Sequence, residues 1–520
     1  MDKPAISIAS LAVRYGLPYK ESIKDSDVDP AFLEKLPLSF VKGNLVFPLK
    51  AEGERLLVAL SSPQAIFALH DVRRLLFMPV TPVLSPHQQI LNAINRFYER
   101  LSGSAQDIVE ELNTESLENI AHEWEEPKDL LELTDEAPII KLLNSILFQA
   151  VKEKASDIHI EPFERHVDVR FRKDGMLYSM LSPPKLIQEA IVSRVKIMGG
   201  LDIAEKRLPQ DGRIRLLVAG RDVDVRVSVV PTTFGERVVL RLLDRKGGNV
   251  NLHELGLRAD HVITIESLLI RNSGIILVTG PTGSGKTTTL YAALNKISLQ
   301  NRNIITIEDP VEYQLDGIGQ IQVNAKIGLT FSNGLRSILR QDPDVIMVGE
   351  IRDQETAEMA IQASLTGHLV LSTLHTNDAP SAITRLINMG IQPFLLSSSM
   401  AAIMAQRLVR VLCINCKEEY TPTGEELSLF EDSKPKTLWR SRGCDRCFQT
   451  GYSGQTGIFE LMPIDHEMRS VLLKNSDSTT IKEYVLSKGM KTLRDDGLKK
   501  AASGITSIEE VIRVTHTDSL

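Results

Sequence analysis

The sequence has few cysteines and little net charge, and each of these two shortages argues against a class of protein. Four cysteines in 520 residues are too few for a disulfide scaffold, so a reducing cytoplasm and a bound metal fit better. A formal net charge of −7 disfavours bulk nucleic-acid binding, which usually shows a basic excess. The opening residues lack the apolar stretch of a secretory signal. We therefore expect a cytoplasmic globular protein of roughly three or four folding units.

Long uncharged runs are also scarce, and one of them requires a membrane test. The segment 386–406 carries no charge and is long enough to span a bilayer. It nevertheless contains Pro393, three consecutive serines and several amides. We predict a buried helix that begins near Pro393, no transmembrane segment, and a membrane association that is only peripheral and mediated by a partner.

Composition divides the chain into predicted domains. Residues 1–100 resemble a small mixed domain, and residues 101–135 form an acidic linker. An α+β domain follows in residues 136–248, where an amphipathic helix precedes several alternating strands. Residues 249–520 alternate apolar strands with helices, which predicts an α/β sheet covered on both faces.

The strands of the last domain are predicted from short apolar runs, namely "GIILVTG", "NIITIED", "DVIMVGE" and "HLVLSTLH". After Arg410 the pattern breaks into a cysteine-bearing insertion over 410–458. Residues 459–520 are predicted to form small helices. The insertion and the helices therefore complete the nucleotide domain.

The stretch "GPTGSGKTTTL" matches the pattern G-x-x-x-x-G-K-[ST] between a predicted strand and a helix. The glycines let backbone N–H groups turn toward a phosphate, and the helix adds its positive end. Lys286 supplies a charge for the β- and γ-phosphates, and Thr287 offers a hydroxyl to Mg²⁺. The alternative is a tight turn in which these residues coincide by chance. The predicted ATP-binding residues are Gly280, Pro281, Thr282, Gly283, Ser284, Gly285, Lys286, Thr287 and Thr288.

Acids and a histidine follow other predicted strands of this sheet. Glu350 ends "DVIMVGE", where a carboxylate can hold Mg²⁺ through water or polarise the attacking water. Glu308 and Asp309 end "NIITIED", at the strand edge where α/β sheets collect ligands. His375 ends "HLVLSTLH" and is a candidate sensor of the γ-phosphate. The alternatives are a solvent-facing glutamate, a turn or helix cap at Asp309, and a structural histidine.

Eight arginines lie between Arg207 and Arg245, interleaved with acids. Most of them are explained by salt bridges on a solvated strand face. One or two could instead neutralise charge on the γ-phosphate from a neighbouring domain or subunit.

The four cysteines form two C-x-x-C units, Cys413/Cys416 and Cys444/Cys447, with 27 residues between them. Each unit can supply half of a tetrahedral Zn²⁺ site that folds by coordination. A redox dithiol and two unrelated pairs are the alternatives.

In this order, the motifs resemble those of the secretion-superfamily ATPases that drive bacterial type II secretion and type IV pili. The shared stretches are "ASDIHIEP", "RLPQDGRI", "GPTGSGKTTTL", "TIEDPVEY", "LRSILRQDPDVIMVGEIRD" and "GHLVLSTLHTNDA". The resemblance covers residues 136–520 and, more weakly, the first hundred. It implies an α/β fold with a RecA-like P-loop ATPase domain, a preceding PAS-like α+β domain, a small amino-terminal domain and a four-cysteine zinc insertion. Such insertions are typical of assembly-type members.

The resemblance also implies roles for single residues. Lys286 is the essential lysine, and Glu350 takes the Walker B role. The remaining implied residues are Glu308 and Asp309 of an acidic box, His368 and His375 of a histidine box, Arg226 and Arg241 near the γ-phosphate with Arg213 as a further candidate, Arg336 and Arg340 of an arginine-bearing helix, and the four zinc-binding cysteines.

The family further implies a homohexamer on the cytoplasmic face of the inner membrane. Its amino-terminal domain would dock onto a membrane platform protein, and ATP turnover would extend a pseudopilus. Some pilus ATPases carry an amino-terminal cyclic-dinucleotide module with repeated R-L-G patterns. Residues 1–100 show one fragment, "VRYGLPYKESI", and no second copy, which favours secretion over pilus assembly. A pilus assembly ATPase, a non-hydrolysing nucleotide switch and a nucleic-acid translocase stay as alternatives.

Overall fold

The computed structural model describes residues 8–33, 35–36, 38–101, 138–218, 221–244, 250–297, 301–430, 434–474 and 477–515. The chain separates into two compact units. One unit comprises Met1–Lys173 and Leu177–Leu242, and the other comprises Asp174–Met176 and Leu243–Leu520. Residues 102–135 of the predicted acidic linker lie outside the described residues.

The first unit begins with a three-stranded sheet packed against helices. Its strands, in the order β1-β2-β3, are β1 (Val46–Glu52), β2 (Arg55–Leu60) and β3 (Val80–Leu84). The helices are Ile8–Tyr15, Pro30–Leu33, Leu38–Asn44, Ala68–Leu76 and His87–Leu101. β1 and β2 are antiparallel, and β2 and β3 are parallel. The stretch "RLLVALSSP" contains β2, and "PHQQILNAINRFYERL" contains the last helix of this part.

The second sheet of this unit has six strands in the order β6-β5-β4-β9-β8-β7. They are β4 (Asp157–Pro162), β5 (Val167–Lys173), β6 (Met176–Leu181), β7 (Gln210–Val218), β8 (Arg221–Thr232) and β9 (Gly235–Asp244). The helices Pro138–Lys152 and Gln188–Gly199 supply much of the core beside the sheet. In β5, Val167, Val169 and Phe171 are buried, and the polar residues between them are only half-buried. This alternation places apolar and charged residues on opposite faces of the sheet.

The second unit contains a seven-stranded sheet in the order β12-β11-β13-β14-β10-β15-β18. Its strands are β10 (Gly274–Thr279), β11 (Ile304–Glu308), β12 (Gly319–Gln322), β13 (Val345–Val348), β14 (Leu369–Leu374), β15 (Met400–Leu412) and β18 (Tyr452–Pro463). The pairs are parallel except β15–β18, which is antiparallel. The four strands predicted by apolar runs are confirmed as β10, β11, β13 and β14. They are interior strands of a sheet that helices cover on both faces, so nearly all of their residues are buried.

Helices cover both faces of this sheet, and a small hairpin of β16 (Glu418–Tyr420) and β17 (Leu438–Arg440) lies in the cysteine-bearing segment. The helices are Ala259–Leu269, Lys286–Lys296, Phe331–Ile338, Gln354–Leu365, Ala379–Asn388, Pro393–Ser399, Gly424–Ser428, His466–Lys474, Ser478–Ser487, Leu493–Ala502 and Ile508–Thr515. Two large apolar clusters pack against the sheet.

The helix predicted to begin near Pro393 is confirmed as Pro393–Ser399, and residues 400–412 then form β15. One expectation for this unit is wrong. The carboxy-terminal helices begin at His466 and not near Phe459, because β18 continues to Pro463. The first residues of β15 are buried continuously between β10 and β18, so their apolar run has no alternation that would distinguish a strand from a buried helix. Within the described ranges, no helix has the length and apolar character needed to cross a membrane.

Candidate functional site

The glycine-rich loop joins β10 to the helix Lys286–Lys296, as the sequence predicts. Gly280, Gly283 and Gly285 have φ angles of +151°, +80° and +84°, and residues other than glycine rarely adopt such angles. A Cβ at Gly280 would also overlap the carbonyl oxygen of Gln406. The loop therefore requires glycine for its turn and for its close approach to a neighbouring strand.

Lys286 is the first residue of the helix and lies against the loop. Its Nζ donates to the carbonyl oxygens of Gly280 (2.8 Å) and Pro281 (3.0 Å), and the residue is 9% exposed. Burial lowers the pKa of Lys286 to about 8, and the Glu350 carboxylate acts in the opposite direction. The ammonium group is therefore charged at neutral pH, but its desolvation favours a new anionic partner.

Glu350 follows β13 after one intervening glycine. Its Oε1 lies 2.5 Å from Nη2 of Arg352, and its Oε2 lies 3.4 Å from Nε2 of His375. The strand end is fixed by the Thr373 hydroxyl, which donates to the carbonyl oxygen of Gly349 at 2.7 Å. Because β10, β13 and β14 are parallel, their carboxyl ends meet at one edge of the sheet. The fold thus gathers the loop, Glu350 and His375 at this edge.

His375 is half exposed and lies between opposite charges. Burial lowers its pKa, the positive charge of Lys286 lowers it further, and Glu350 opposes both. The imidazole is therefore neutral at pH 7, and it can accept or donate a hydrogen bond at the site.

Arg352 is a site residue that sequence reasoning missed. The hydrogen bond that Arg352 donates to Glu350 raises the pKa of Arg352, and the negative charge of Asp309 adds to this effect. Asp309 is exposed at the end of β11 and Arg352 comes two residues after Glu350, so position relative to the strand end was the available signal.

Glu308 has a different environment from Glu350. It is 3% exposed, and its Oε1 accepts from the hydroxyl of Thr306 (2.5 Å) and from Nε2 of Gln320 (3.1 Å). Its other oxygen accepts from the hydroxyl of Tyr291. Glu308 therefore holds the helix after the loop to β11 and β12, and its predicted catalytic role stays a prediction.

The two histidines of the predicted box lie at opposite ends of one strand. His368 precedes β14, and its Nδ1 lies 2.8 Å from the carbonyl oxygen of Ala363. His375 follows the same strand. A six-residue strand spans about 20 Å, so His368 lies away from the edge that carries the loop.

The arginines of the predicted arginine-bearing helix are on the helix Phe331–Ile338 and just after it. Arg336 donates to Oε1 of Glu355 at 2.6 Å, and Arg340 donates to the carbonyl oxygen of Arg336 at 3.0 Å. These contacts are local and exposed, and they leave the predicted role open.

The arginines predicted to act on the γ-phosphate belong to the six-stranded sheet. Arg241, on β9, donates through Nε to Oδ1 of Asp157 at 2.8 Å, and its side chain is 57% exposed. Arg226, on β8, pairs across strands with Arg213, which forms an ion pair with Asp224. The salt-bridged strand face expected for most of these arginines is thus present.

The four cysteine sulfurs form a compact cluster within 4.8 Å of one another. Three of the Sγ–Sγ separations are 3.9 Å (Cys413–Cys444), 3.7 Å (Cys416–Cys447) and 3.7 Å (Cys444–Cys447). With Zn–S bonds of about 2.3 Å, a tetrahedral site has S–S edges of about 3.8 Å. The spacing therefore fits a tetrahedral thiolate site and excludes two unrelated pairs.

Backbone N–H groups favour the ionised form of one cysteine, Cys447. The N–H groups of Cys444 and Gly451 each donate to Sγ of Cys447 at 3.2 Å. Burial opposes ionisation, but these bonds outweigh it and lower the pKa of Cys447 to about 6. A thiolate is the form that binds metal.

Family models match almost the whole chain. One that is described as Type II/IV secretion system protein matches residues 132–513, and one described as the MshEN domain matches residues 15–104. The second match corrects our inference that a missing repeat sets residues 1–100 apart from known amino-terminal modules. A single short pattern carried that inference, whereas the family model matches across residues 15–104. The missing repeat therefore does not separate secretion from pilus assembly.

Curated relatives match over most of their own length. The chain is 54% identical to "Type II secretion system protein E" of Pseudomonas aeruginosa, over 82% of this chain and 85% of the relative. It is 47% identical to "Type II secretion system ATPase E" of Vibrio cholerae, over 93% and 97%. It is also 43% identical to "Type IV pilus assembly ATPase PilB" of Myxococcus xanthus, over 98% and 90%.

Among solved structures, the ATPase DotB of Legionella pneumophila aligns with a TM-score of 0.55 at 20% identity. The alignment covers 75% of this chain and 98% of DotB. This likeness supports the fold.

Proposed function

The chain belongs to the Type II/IV secretion system protein family, and from this premise we propose that it is the hexameric ATPase of a type II secretion system. It hydrolyses ATP and couples the released energy to pseudopilus assembly and protein export. The observation that carries the proposal is the meeting of the glycine-rich loop, Glu350 and His375 at one sheet edge.

Each group at this edge has a part in hydrolysis. The backbone N–H groups of residues 282–288 and the ammonium of Lys286 bind the phosphates. Glu350 polarises the attacking water, and His375 forms a hydrogen bond near the γ-phosphate. Thr287 would hold Mg²⁺, which neutralises phosphate charge when bound. Glu308 and Asp309 contribute further carboxylates at the carboxyl end of β11, beside the site.

Arginines complete the site from elsewhere in the assembly. Arg241 and Arg226 neutralise charge that develops on the γ-phosphate. Arg241 is suited to this part because its side chain is more than half exposed although Asp157 holds it.

The cysteine cluster would hold one Zn²⁺ as a structural ion. All four donors are thiols, and the cluster has no fifth Cys, His, Asp or Glu in the described residues, so no open catalytic position is indicated.

Membership of the family supports a proposal for the partner and the location. We place the protein on the cytoplasmic face of the inner membrane, where its amino-terminal domain binds the platform protein of the secretion system. A pilus assembly role is the second candidate, since a pilus ATPase is 43% identical over 98% of the chain. Binding of residues 1–101 within the full chain to secretion-type platform protein, and not to the pilus type, separates the two.

The test of hydrolysis is a pair of substitutions. We expect Glu350→Gln to bind ATP like the wild type and to lose turnover by about 10²-fold or more, and Lys286→Ala to lose binding. Glu358→Gln, an exposed change on the helix Gln354–Leu365, is the matched control. Wild-type turnover no higher than that of Glu350→Gln, even with platform protein, would instead indicate a nucleotide switch.

A further inference from the structure

Gln406 lies beneath the glycine-rich loop and has no part in the hydrolysis proposed above. β10 pairs with β15 up to Thr279 and Ala405, so the next residue of β15, Gln406, lies beneath the loop. Gln406 is 1% exposed. It is a polar residue in a strand whose preceding residues, 400–405, are all apolar.

Gln406 contacts both ends of the loop. Its carbonyl oxygen lies 2.4 Å from the position of a Cβ at Gly280, and its Nε2 lies 2.9 Å from the position of a Cβ at Gly285. A side chain at the first glycine would therefore require β15 to move, and one at the last glycine would displace the Gln406 side chain.

The Gln406 side chain also binds the helix that follows the loop. The Thr289 hydroxyl donates to Oε1 of Gln406 at 2.7 Å, in a fully buried contact. Thr289 is itself 2% exposed. A buried amide is satisfied here by the first turn of the helix that presents Lys286, so breaking the bond leaves an unpaired polar group in the core.

We propose that Gln406 is a positioning residue for ATP, which fixes the glycine-rich loop and its helix in the conformation that binds phosphate. The proposal rests on the proposed function, because it assumes that this loop binds ATP. A loop that is fixed before binding loses less conformational freedom when the nucleotide arrives. Removing the contact should therefore weaken binding more than it slows the chemical step.

The experiment compares Gln406→Met and Thr289→Val, which keep side-chain volume and remove one partner each. The dissociation constant of a non-hydrolysable ATP analogue with Mg²⁺ is measured on the full-length protein, beside the melting temperature. We expect each variant to raise the dissociation constant about three- to tenfold, and the double variant to be no worse than the more affected single one. Thr289→Ser, which keeps the hydroxyl, should restore most of the affinity.

The control is Tyr452→Phe, which removes a buried hydroxyl contact to Ser507 from the partner strand β18. This control tests whether the loss of any buried hydrogen bond near the β15–β18 pair weakens ATP binding, and we expect no change in affinity. Should Gln406→Met lower the melting temperature strongly, Thr289→Val and its serine rescue decide the matter. Wild-type affinity in both Gln406→Met and Thr289→Val overturns the inference alone, whereas no binding by the wild-type protein overturns the proposed function as well.

Discussion

At the scale of single residues, the most consequential feature is the buried ammonium group of Lys286. It is desolvated and donates hydrogen bonds to two loop carbonyl oxygens. A triphosphate would replace these neutral acceptors with charged ones. Charge-assisted hydrogen bonds are roughly twice as strong as neutral ones, so the site gains most from the group in its charged form.

This burial predicts a pH dependence of ATP affinity. The pKa of Lys286 is lowered to about 8, so the free protein carries the charge below that pH and loses it above. Because phosphate binding requires the ammonium form, the dissociation constant should be constant near pH 7 and rise above pH 8, by up to about tenfold per pH unit. Titration calorimetry in buffers of different ionisation enthalpy should show proton uptake on binding near pH 8.5.

Lys286→Arg provides the control, because a guanidinium stays charged across this range. Any affinity that it retains should not depend on pH between 7 and 9. An unchanged dissociation constant of the wild type up to pH 9.5 would show that the Lys286 pKa is not lowered.

At the scale of elements, the sequence predicted what short-range pattern can encode. The loop, its helix and β10, β11, β13 and β14 follow from apolar runs ending in polar residues. The same reasoning missed β15, because its apolar run follows the helix Pro393–Ser399 directly, with no turn residue to mark the change from helix to strand. It also placed the start of the carboxy-terminal helices inside β18, which continues to Pro463. Gln406 could not be found from the sequence, because its place beneath the loop depends on register with β10, which no local pattern contains.

The cysteine cluster lies where two paired strands meet, at the end of β15 and the start of β18. Cys413 directly follows β15, and its N–H donates to the carbonyl oxygen of Gly451, just before β18. A metal at the cluster would therefore hold the ends of the two strands together, and its binding free energy would add to the stability of the folded chain.

Loss of this metal should destabilise the β15–β18 pair. We expect the purified protein to contain one zinc ion per chain, and Cys447→Ser to lose it and to lower the melting temperature by about 5 °C or more. Metal analysis and thermal unfolding under reducing conditions measure the two effects. Ile414→Ser is the matched control, since Ile414 lies in the same loop, is 82% exposed and offers no ligand. A metal-free protein whose stability is unchanged in Cys447→Ser would favour the redox dithiol.

At the scale of the whole molecule, the proposed catalytic groups come from different parts of the chain. Glu350 lies in the unit that contains the loop, and Arg241 lies in the six-stranded sheet of the other unit. In a ring, a single active site can therefore draw its carboxylate and its arginine from two subunits. Arginine fingers supplied in this way raise turnover by about 10³–10⁵-fold in other phosphoryl-transfer enzymes.

Mixing two inactive variants distinguishes the sources of these groups. Arg241→Ala and Glu350→Gln should each have little turnover as pure proteins. If Arg241 acts on the nucleotide of a neighbouring subunit, random mixed rings contain complete sites at about one quarter of their interfaces, because each required residue is present with a probability of one half. Equimolar co-assembly should then restore about a quarter of the wild-type rate, as measured by phosphate release. Co-assembly of Glu350→Gln with Lys286→Ala, whose losses fall in the same half of the site, should restore nothing. Mixed rings of Arg241→Ala and Glu350→Gln that stay inactive would show that Arg241 serves its own subunit, whereas a pure Arg241→Ala protein with wild-type turnover would show that another arginine serves the site.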